Sequence, residues 1–344
     1  MKKTKSIILL VFVSILLAGC LVFLFLILGT HVFFKDNKAN TDNEQYEPVV
    51  EVVNTKGAID LEIEYTGGPL YEGGRAVAEN FSVYMVKNSG KKVKVNKFKC
   101  TMIDEKKPLK LGTNTFVFNY GNLSKAINLE AVSPTEGRLY APTYCLGKID
   151  VSSAQEVIDK INNKEMTFEE ALSDIAFTGD SQIAALISYR ITTNKNVEAL
   201  VGSSTEYLEK MFDTVVAKAY GKKALIVHYG INSLSSNAAE RARRIEHYKG
   251  LLSDLKELLP GTRIIVSGVF PVSNTIINTK SSFAYINEYN FDLLKMCMEL
   301  DIEYYSNNEY MANHQEVFSG DGLHLTPAFY KEYWVYDLMK TMGL

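Results

Sequence analysis

The chain has 344 residues, 47% apolar and 22% charged, with a formal net charge of −3. That length allows about two domains, and the composition is that of globular protein plus one apolar segment. No basic cluster occurs beyond the extreme N-terminus, which argues against nucleic acid as a partner. Lys2, Lys3 and Lys5 precede a run from Ser6 to Phe34 without a formally charged residue. The run exceeds the ~20 residues needed to span a bilayer. Residues 1–34 are therefore expected to be a cytoplasmic basic tip and a transmembrane helix, with the rest of the chain outside.

Leu17-Ala18-Gly19-Cys20 resembles a bacterial lipobox, in which Cys20 would become a lipidated N-terminus. Leu21 to Leu28 stays apolar, however, which favours an uncleaved single-pass anchor. Residues 35–48 are polar and read as a linker off the membrane. From 49 to 133 the pattern becomes short β-like runs. Ile59 to Tyr65 alternates strictly and stops at Gly67-Gly68-Pro69. Phe81 to Val86, Lys91 to Lys99 with a slip before Phe98, Gly112 to Tyr120 and Ala126 to Leu129 follow. Such a series predicts a β-sandwich. Tyr65-Thr66-Gly67 and Leu111-Gly112-Thr113-Asn114 resemble bacterial Ig-like surface domains, which implies a spacer or a glycan-binding module.

Residues 134–172 form a connecting segment, irregular to Lys148 and helical over Ser152–Asn163 and Phe168–Leu172. From 173 to 344 strands and helices alternate. Strands are predicted at Ile175–Phe177, Val197–Val201, Ala224–Tyr229, Arg263–Phe270 and Ile302–Tyr305. Helices are predicted at Gln182–Tyr189, Ser204–Tyr220, Ala238–Leu259, Ser282–Leu300 and Pro327–Met342. Five apolar strands with crossover helices mean a parallel sheet covered on both faces, an α/β fold of three layers.

In such a fold, chemistry gathers at the carboxyl edge of the sheet. Ser181 follows the first strand, at a helix N-terminus where backbone donors favour an oxyanion. Gly202 follows the second, Gly230-Ile231-Asn232 the third, and Asp321-Gly322-Leu323-His324 precedes the last helix. A serine nucleophile needs a base, which His324 can supply, and Asp321 can fix the imidazole tautomer. The N–H groups of Ser181 and Gly202 and the Asn232 amide could converge on an oxyanion. Asp180 or Ser181 as a simple helix cap is the alternative reading of the first stretch. His228 reads as a core residue, His314 as a solvated loop histidine and the tyrosines, Tyr229 included, as packing.

Together these residues resemble the SGNH or GDSL hydrolases. Gly179-Asp180-Ser181 looks like the first block of that family, Gly202 the second, Gly230-Ile231-Asn232 the third and Asp321-Gly322-Leu323-His324 the last. Ser233 departs from the Asp that often follows the Asn. The resemblance implies ester hydrolysis or acyl transfer through an acyl-Ser181 intermediate. Catalytic Ser181, Asp321 and His324, oxyanion donors Ser181, Gly202 and Asn232, and no metal or cofactor are carried over with it. Surface members of the family often act on acetyl esters of glycans, so an acylated glycan or other ester is the expected partner beside the membrane. An O-acetyltransferase, a lipase or thioesterase, and a non-catalytic surface-binding module are the alternatives. Cys297 reads as a buried thiol. Whether Cys100 and Cys145 meet is left open by the sequence.

Overall fold

The computed structural model describes residues 55–147 and 149–344. The predicted anchor, its Cys20 and the linker over 35–48 lie outside the described residues. Among the described residues no helix is long and apolar enough to cross a membrane.

The alternating runs form two sheets. In the first, β1 (Ala58–Tyr65) pairs antiparallel with β3 (Phe81–Lys87), which pairs with β4 (Lys92–Val95). The second has the order β2 (Leu70–Tyr71), β7 (Leu123–Val132), β6 (Gly112–Tyr120) and β5 (Lys99–Cys100). Period-2 patterning sends alternate side chains inward, so Phe116 and Phe118 of β6 are buried while Thr115 and Val117 face out. Leu61, Val83 and Met85 of the first sheet share one core with Phe116, Phe118 and Ala131 of the second. The slip before Phe98 is where the chain crosses between sheets: the single strand expected over Lys91–Lys99 is two strands, β4 and β5. Phe98 still packs on Phe118, with ring centroids 5.3 Å apart. A one-turn helix, Thr101–Asp104, interrupts the expected all-β series. Its cause is local, since Asp104 Oδ2 accepts the Cys100 N–H at 2.9 Å and curls the chain back.

The connecting segment is irregular up to the helix Val151–Asn162, but it does not hang free. Tyr144 pairs antiparallel with Tyr304 on the edge of the second unit's sheet. Arg75 of the β unit meets Asp301 at 2.6 Å.

The remaining strands, β8 (Ile175–Gly179), β9 (Val197–Ala199), β10 (Ala224–His228), β11 (Arg263–Ser267) and β12 (Glu303–Tyr305), form the expected five-stranded parallel sheet. Successive residues feed opposite layers. Leu225 and Val227 of β10 join Tyr248, Leu252 and Leu293 on one face. Ala224 and Ile226 join Ile158, Ile183 and Leu338 on the other. Both faces are covered, which is why these strands read as unbroken apolar runs. The helix expected over Ser204–Tyr220 is interrupted at Met211 into Thr205–Lys210 and Phe212–Ala219. The last helix starts at Pro327, capped by Thr326 Oγ1, which accepts the Phe329 N–H at 3.3 Å.

Strand order is β12-β11-β10-β8-β9. The chain leaves β8 toward β9 and then crosses back over β8 to β10. Connections therefore diverge at β8, and a crevice opens at its carboxyl end.

Candidate active site

Ser181 stands in that crevice because the turn after β8 is unusually tight. A Cβ at Gly179 would lie 2.5 Å from Ile183 Cγ1 and 2.6 Å from the His228 carbonyl oxygen. Only glycine lets strand and helix approach so closely. Asp180 then caps the helix Ser181–Ser188, its Oδ1 accepting the Gln182 N–H at 3.0 Å. The cap reading thus holds for Asp180, which leaves the adjacent Ser181 hydroxyl free of the capping role. As first residue of the helix, Ser181 has no intrahelical acceptor for its own N–H.

His324 arrives on a hairpin-like loop closed by the Phe318–Leu325 bridge. Asp321 Oδ1 accepts the N–H groups of Leu323 and His324, each at 2.9 Å. This Asx-type turn fixes the three-residue spacing and leaves Oδ2 free for the ring. Gly322, at φ +68°, supplies the left-handed turn residue. Oδ2 lies 2.6 Å from His324 Nδ1, and His324 Nε2 lies 3.0 Å from Ser181 Oγ. With Nδ1–H donating to Asp321, Nε2 is the acceptor that faces the serine hydroxyl. The His324 hydrogen bond, with the two backbone donors behind it, holds the Asp321 carboxyl down at about 2. The acceptor is therefore ionised throughout the neutral range.

The second and third blocks are joined to this centre. Leu200 N–H and Ser203 Oγ–H both donate to the Gly179 carbonyl, each at 3.2 Å. These bonds hold the turn containing Gly202 (φ +75°) against the end of β8. Asn232 Nδ2 donates to the Ser203 carbonyl at 2.9 Å. Ser181, Asp321 and His324 are thus linked directly, while Gly202 and Asn232 are linked through Ser203 and Gly179.

Gln182 has a structural part in this site that the sequence did not disclose. Its Nε2 donates to the Leu323 carbonyl at 2.9 Å, beside His324. Tyr330 O–H reaches Gln182 O at 2.8 Å and Gln182 Oε1 at 3.0 Å. Gln182 thereby ties the turn carrying Ser181 to the loop carrying His324. Its only mark in the sequence is an amide beside the apolar Ile183 and Leu186 of the same helix.

Asp180 is fully buried and its Oδ2 has no partner among the described residues. Burial pushes its carboxyl up to about 7, against the pull of the Gln182 N–H and His324. His228 is a core residue, its ring tilted against Phe270 with centroids 4.4 Å apart and Nδ1 3.1 Å from Ser267 Oγ. Burial drives its ring down to about 3, so it is neutral. Tyr229 bonds Thr178 inside the core at 2.8 Å. His314, expected to be solvated, instead stacks on Tyr310 at 3.9 Å and holds the Tyr310 carbonyl at 2.8 Å. Cys100 and Cys145 are free thiols: Cys100 lies in the β core, and Cys145 points to the Thr341 carbonyl at 3.7 Å. Among the described residues no group of three His, Cys, Asp or Glu side chains is placed to hold a metal ion.

Residues 176–332 match the family model described as GDSL-like Lipase/Acylhydrolase family. This match lies within the α/β unit, which is similar to the GDSL-like acylhydrolases. It makes the chain an ester-cleaving hydrolase. Several solved structures resemble it. A GDSL-like lipase from Bacteroides thetaiotaomicron is 13% identical, with 56% of this chain and 96% of that one covered at a TM-score of 0.39. An acetyl xylan esterase, AlAXEase, is 14% identical, with 48% and 98% covered at 0.37. Axe2, an acetylxylan esterase from Geobacillus stearothermophilus, is 12% identical, with 48% and 92% covered at 0.36. No curated protein matches the chain.

Proposed function

We propose that this acylhydrolase is a membrane-anchored, extracytoplasmic serine esterase that removes acyl groups, above all O-acetyl groups, from cell-surface or extracellular glycans. The observation that carries the chemistry is the unbroken relay from Asp321 Oδ2 through the His324 ring to Ser181 Oγ, with steps of 2.6 and 3.0 Å. His324 Nε2 takes the hydroxyl proton as Ser181 Oγ attacks the ester carbon. The ionised Asp321 stabilises the resulting imidazolium. The oxyanion is held by the N–H groups of Ser181 and Gly202 and by the Asn232 amide, whose second hydrogen has no acceptor among the described residues. His324 then protonates the leaving alkoxide. Water, activated by the same imidazole, releases the acid and frees Ser181.

The location rests on the charge-free run after Lys5, and the glycan on the surface setting that such an anchor gives. In this reading the two-sheet unit is an Ig-like spacer between membrane and enzyme.

The test is acetate release. Purified protein is incubated with O-acetylated wall polysaccharide, and acyl groups are followed by mass spectrometry with Ser181→Ala as control. Loss of acetyl groups from the polymer is expected. Turnover of small acetyl esters with no loss from any polysaccharide would remove the glycan assignment while leaving the esterase.

A further inference from the structure

The carboxyl edge that carries Ser181 continues to the far strand. There β12 ends, and the chain passes through Ser306 and Asn307 into the short helix Asn308–Asn313. The connecting segment runs alongside, with Thr143 Oγ1 bonded to both Ser306 N–H and Ser306 carbonyl at 3.1 Å. Before Thr143 it diverges, and between the two chains lies a cavity of about 460 Å³. That is the size range of small-ligand sites.

Asn307 faces this cavity and is 6% exposed, yet neither Oδ1 nor Nδ2 has a partner among the described residues. An Asn preceding a helix usually caps it, but this side chain makes no cap bond. The neighbouring Asn308 is 2% exposed; its Nδ2 donates to the Val269 carbonyl at 2.8 Å, and its Oδ1 is also unpartnered. Leaving such atoms buried and unpaired is costly. A ligand that brings both donors and acceptors would relieve that cost.

The walls narrow the ligand's chemistry. Arg138 is already engaged by Tyr71, its guanidinium 3.1 Å from the hydroxyl and 5.1 Å over the ring. It is offset by the exposed Glu309, so the lining has no net charge. The Tyr140 ring and Leu139, which is 77% exposed, add apolar surface. Amide groups beside a ring suit a neutral hydroxyl-rich molecule, because each hydroxyl both donates and accepts. A peptide adding as a strand is disfavoured, since Tyr144 already occupies the outer edge of β12.

We infer that this cavity is a saccharide subsite, binding a neutral sugar unit of the polymer whose ester is cleaved at Ser181. Three strand intervals, roughly 14 Å, separate β12 from β8, a span that a short oligosaccharide bridges. The link to catalysis rests on the glycan reading above; the binding itself does not.

The experiment measures both. Cello-, xylo- and chitotetraose, all unacetylated, are titrated calorimetrically into the full-length protein and into Asn307→Leu. Turnover of p-nitrophenyl acetate and Tm are recorded alongside. One of the tetrasaccharides should bind, about tenfold more weakly in the variant, as expected for one or two net hydrogen bonds. Ester turnover should be unchanged, and Tm should not fall, because no protein partner is lost. Should Asn307→Leu lower Tm, Asn307→Ser takes its place with the same expected loss. Absence of binding by all three sugars, equal binding by variant and wild type, or binding of an uncharged tetrapeptide in their stead overturns the subsite. If the wild type binds sugar through Asn307 but releases no acetate from polysaccharide, the subsite stands and the deacylase reading fails.

Discussion

The two sheet-bearing regions of this molecule place their polar residues in opposite ways. In the antiparallel unit, β7 alternates between half-buried and exposed positions over most of its length. Its exposed polar side chains pair on the surface, as Asn128 Oδ1 does by accepting the Thr115 hydroxyl at 2.8 Å. In the parallel sheet β8, β10 and β12 are buried at every residue. Polar groups there cannot face water along the strands, so they collect at the strand ends. Asp180, Gln182, His228, Ser267 and Asn290 are all buried at or just beyond those ends. Such groups need partners and are therefore held in fixed geometry. That is the condition a catalytic relay requires, and the antiparallel unit does not create it.

If this comparison is right, changes at the strand ends should alter chemistry far more than stability. Ser181→Ala should lower turnover of p-nitrophenyl acetate by roughly 10⁴-fold or more and abolish fluorophosphonate labelling, with Tm unchanged. Retained labelling would place the nucleophile elsewhere. Asn232→Ala removes one oxyanion donor and should lower kcat about 10²-fold with little change in KM. A rise in KM alone would show that Asn232 binds the substrate without favouring the transition state.

Gln182→Leu tests the tie between nucleophile and base. The Leu323 carbonyl loses its donor, and the loop carrying His324 loses one anchor. We expect about a tenfold fall in kcat, with KM steady and stability lowered by about 1 kcal/mol. An unchanged kcat with the same loss of stability would reduce Gln182 to packing.

What the sequence made legible follows the same division. The grouping of Ser181, His324 and Asp321 was readable because its parts are local: Gly179-Asp180-Ser181 is one turn, and Asp321 and His324 are joined by one Asx turn. The sheet was readable because burial on both faces leaves continuous apolar runs. Gln182 was not, because its partners lie 141 and 148 residues away. The bridge from Tyr144 to Tyr304 was hidden for the same reason. β2 has only two residues, too few to show a period. The helix break at Met211 has no Pro or Gly to announce it, and nothing in the structure explains it.

Asp180 offers a subtler test, read through pH. Its carboxyl is raised from 3.8 to about 7 by burial, so between those values the folded state holds a proton that the unfolded state has lost. Its contribution to stability is full below about pH 4 and declines as pH rises toward 7. The groups facing it are His324, Tyr229, Tyr248 and Tyr330. The tyrosines are themselves raised by burial and remain neutral in that window. Asp180→Asn keeps an oxygen for the Gln182 N–H and removes the titration. Its Tm should match wild type near pH 4 and exceed it near pH 8. Parallel Tm curves across that range would show that Asp180 is not the titrating group.

The smallest effect is expected on the antiparallel side. Glu62 meets Lys92 at 2.5 Å across β1 and β3–β4, with about half of each side chain exposed: 47% and 54%. The bond with Glu62 raises the Lys92 ammonium, but water competes for both ends. Exposed pairs of this kind gain little, because ordering two long side chains offsets most of the attraction and salt screens the remainder. The contrast is Glu303 in the parallel sheet, whose side chain is 4% exposed and which Arg263 meets at 2.7 Å. Glu303 Oε1 also accepts the Leu146 N–H at 3.0 Å, so the carboxylate is enclosed by donors. Glu62→Gln should therefore leave Tm, its salt dependence and ester turnover at wild-type values in differential scanning calorimetry and kinetic assays. A clear fall in Tm that deepens at low ionic strength would mean that the surface pair holds the first sheet together. The division between a solvated sheet and a sheet that stores its polar groups at its ends would then be too sharp.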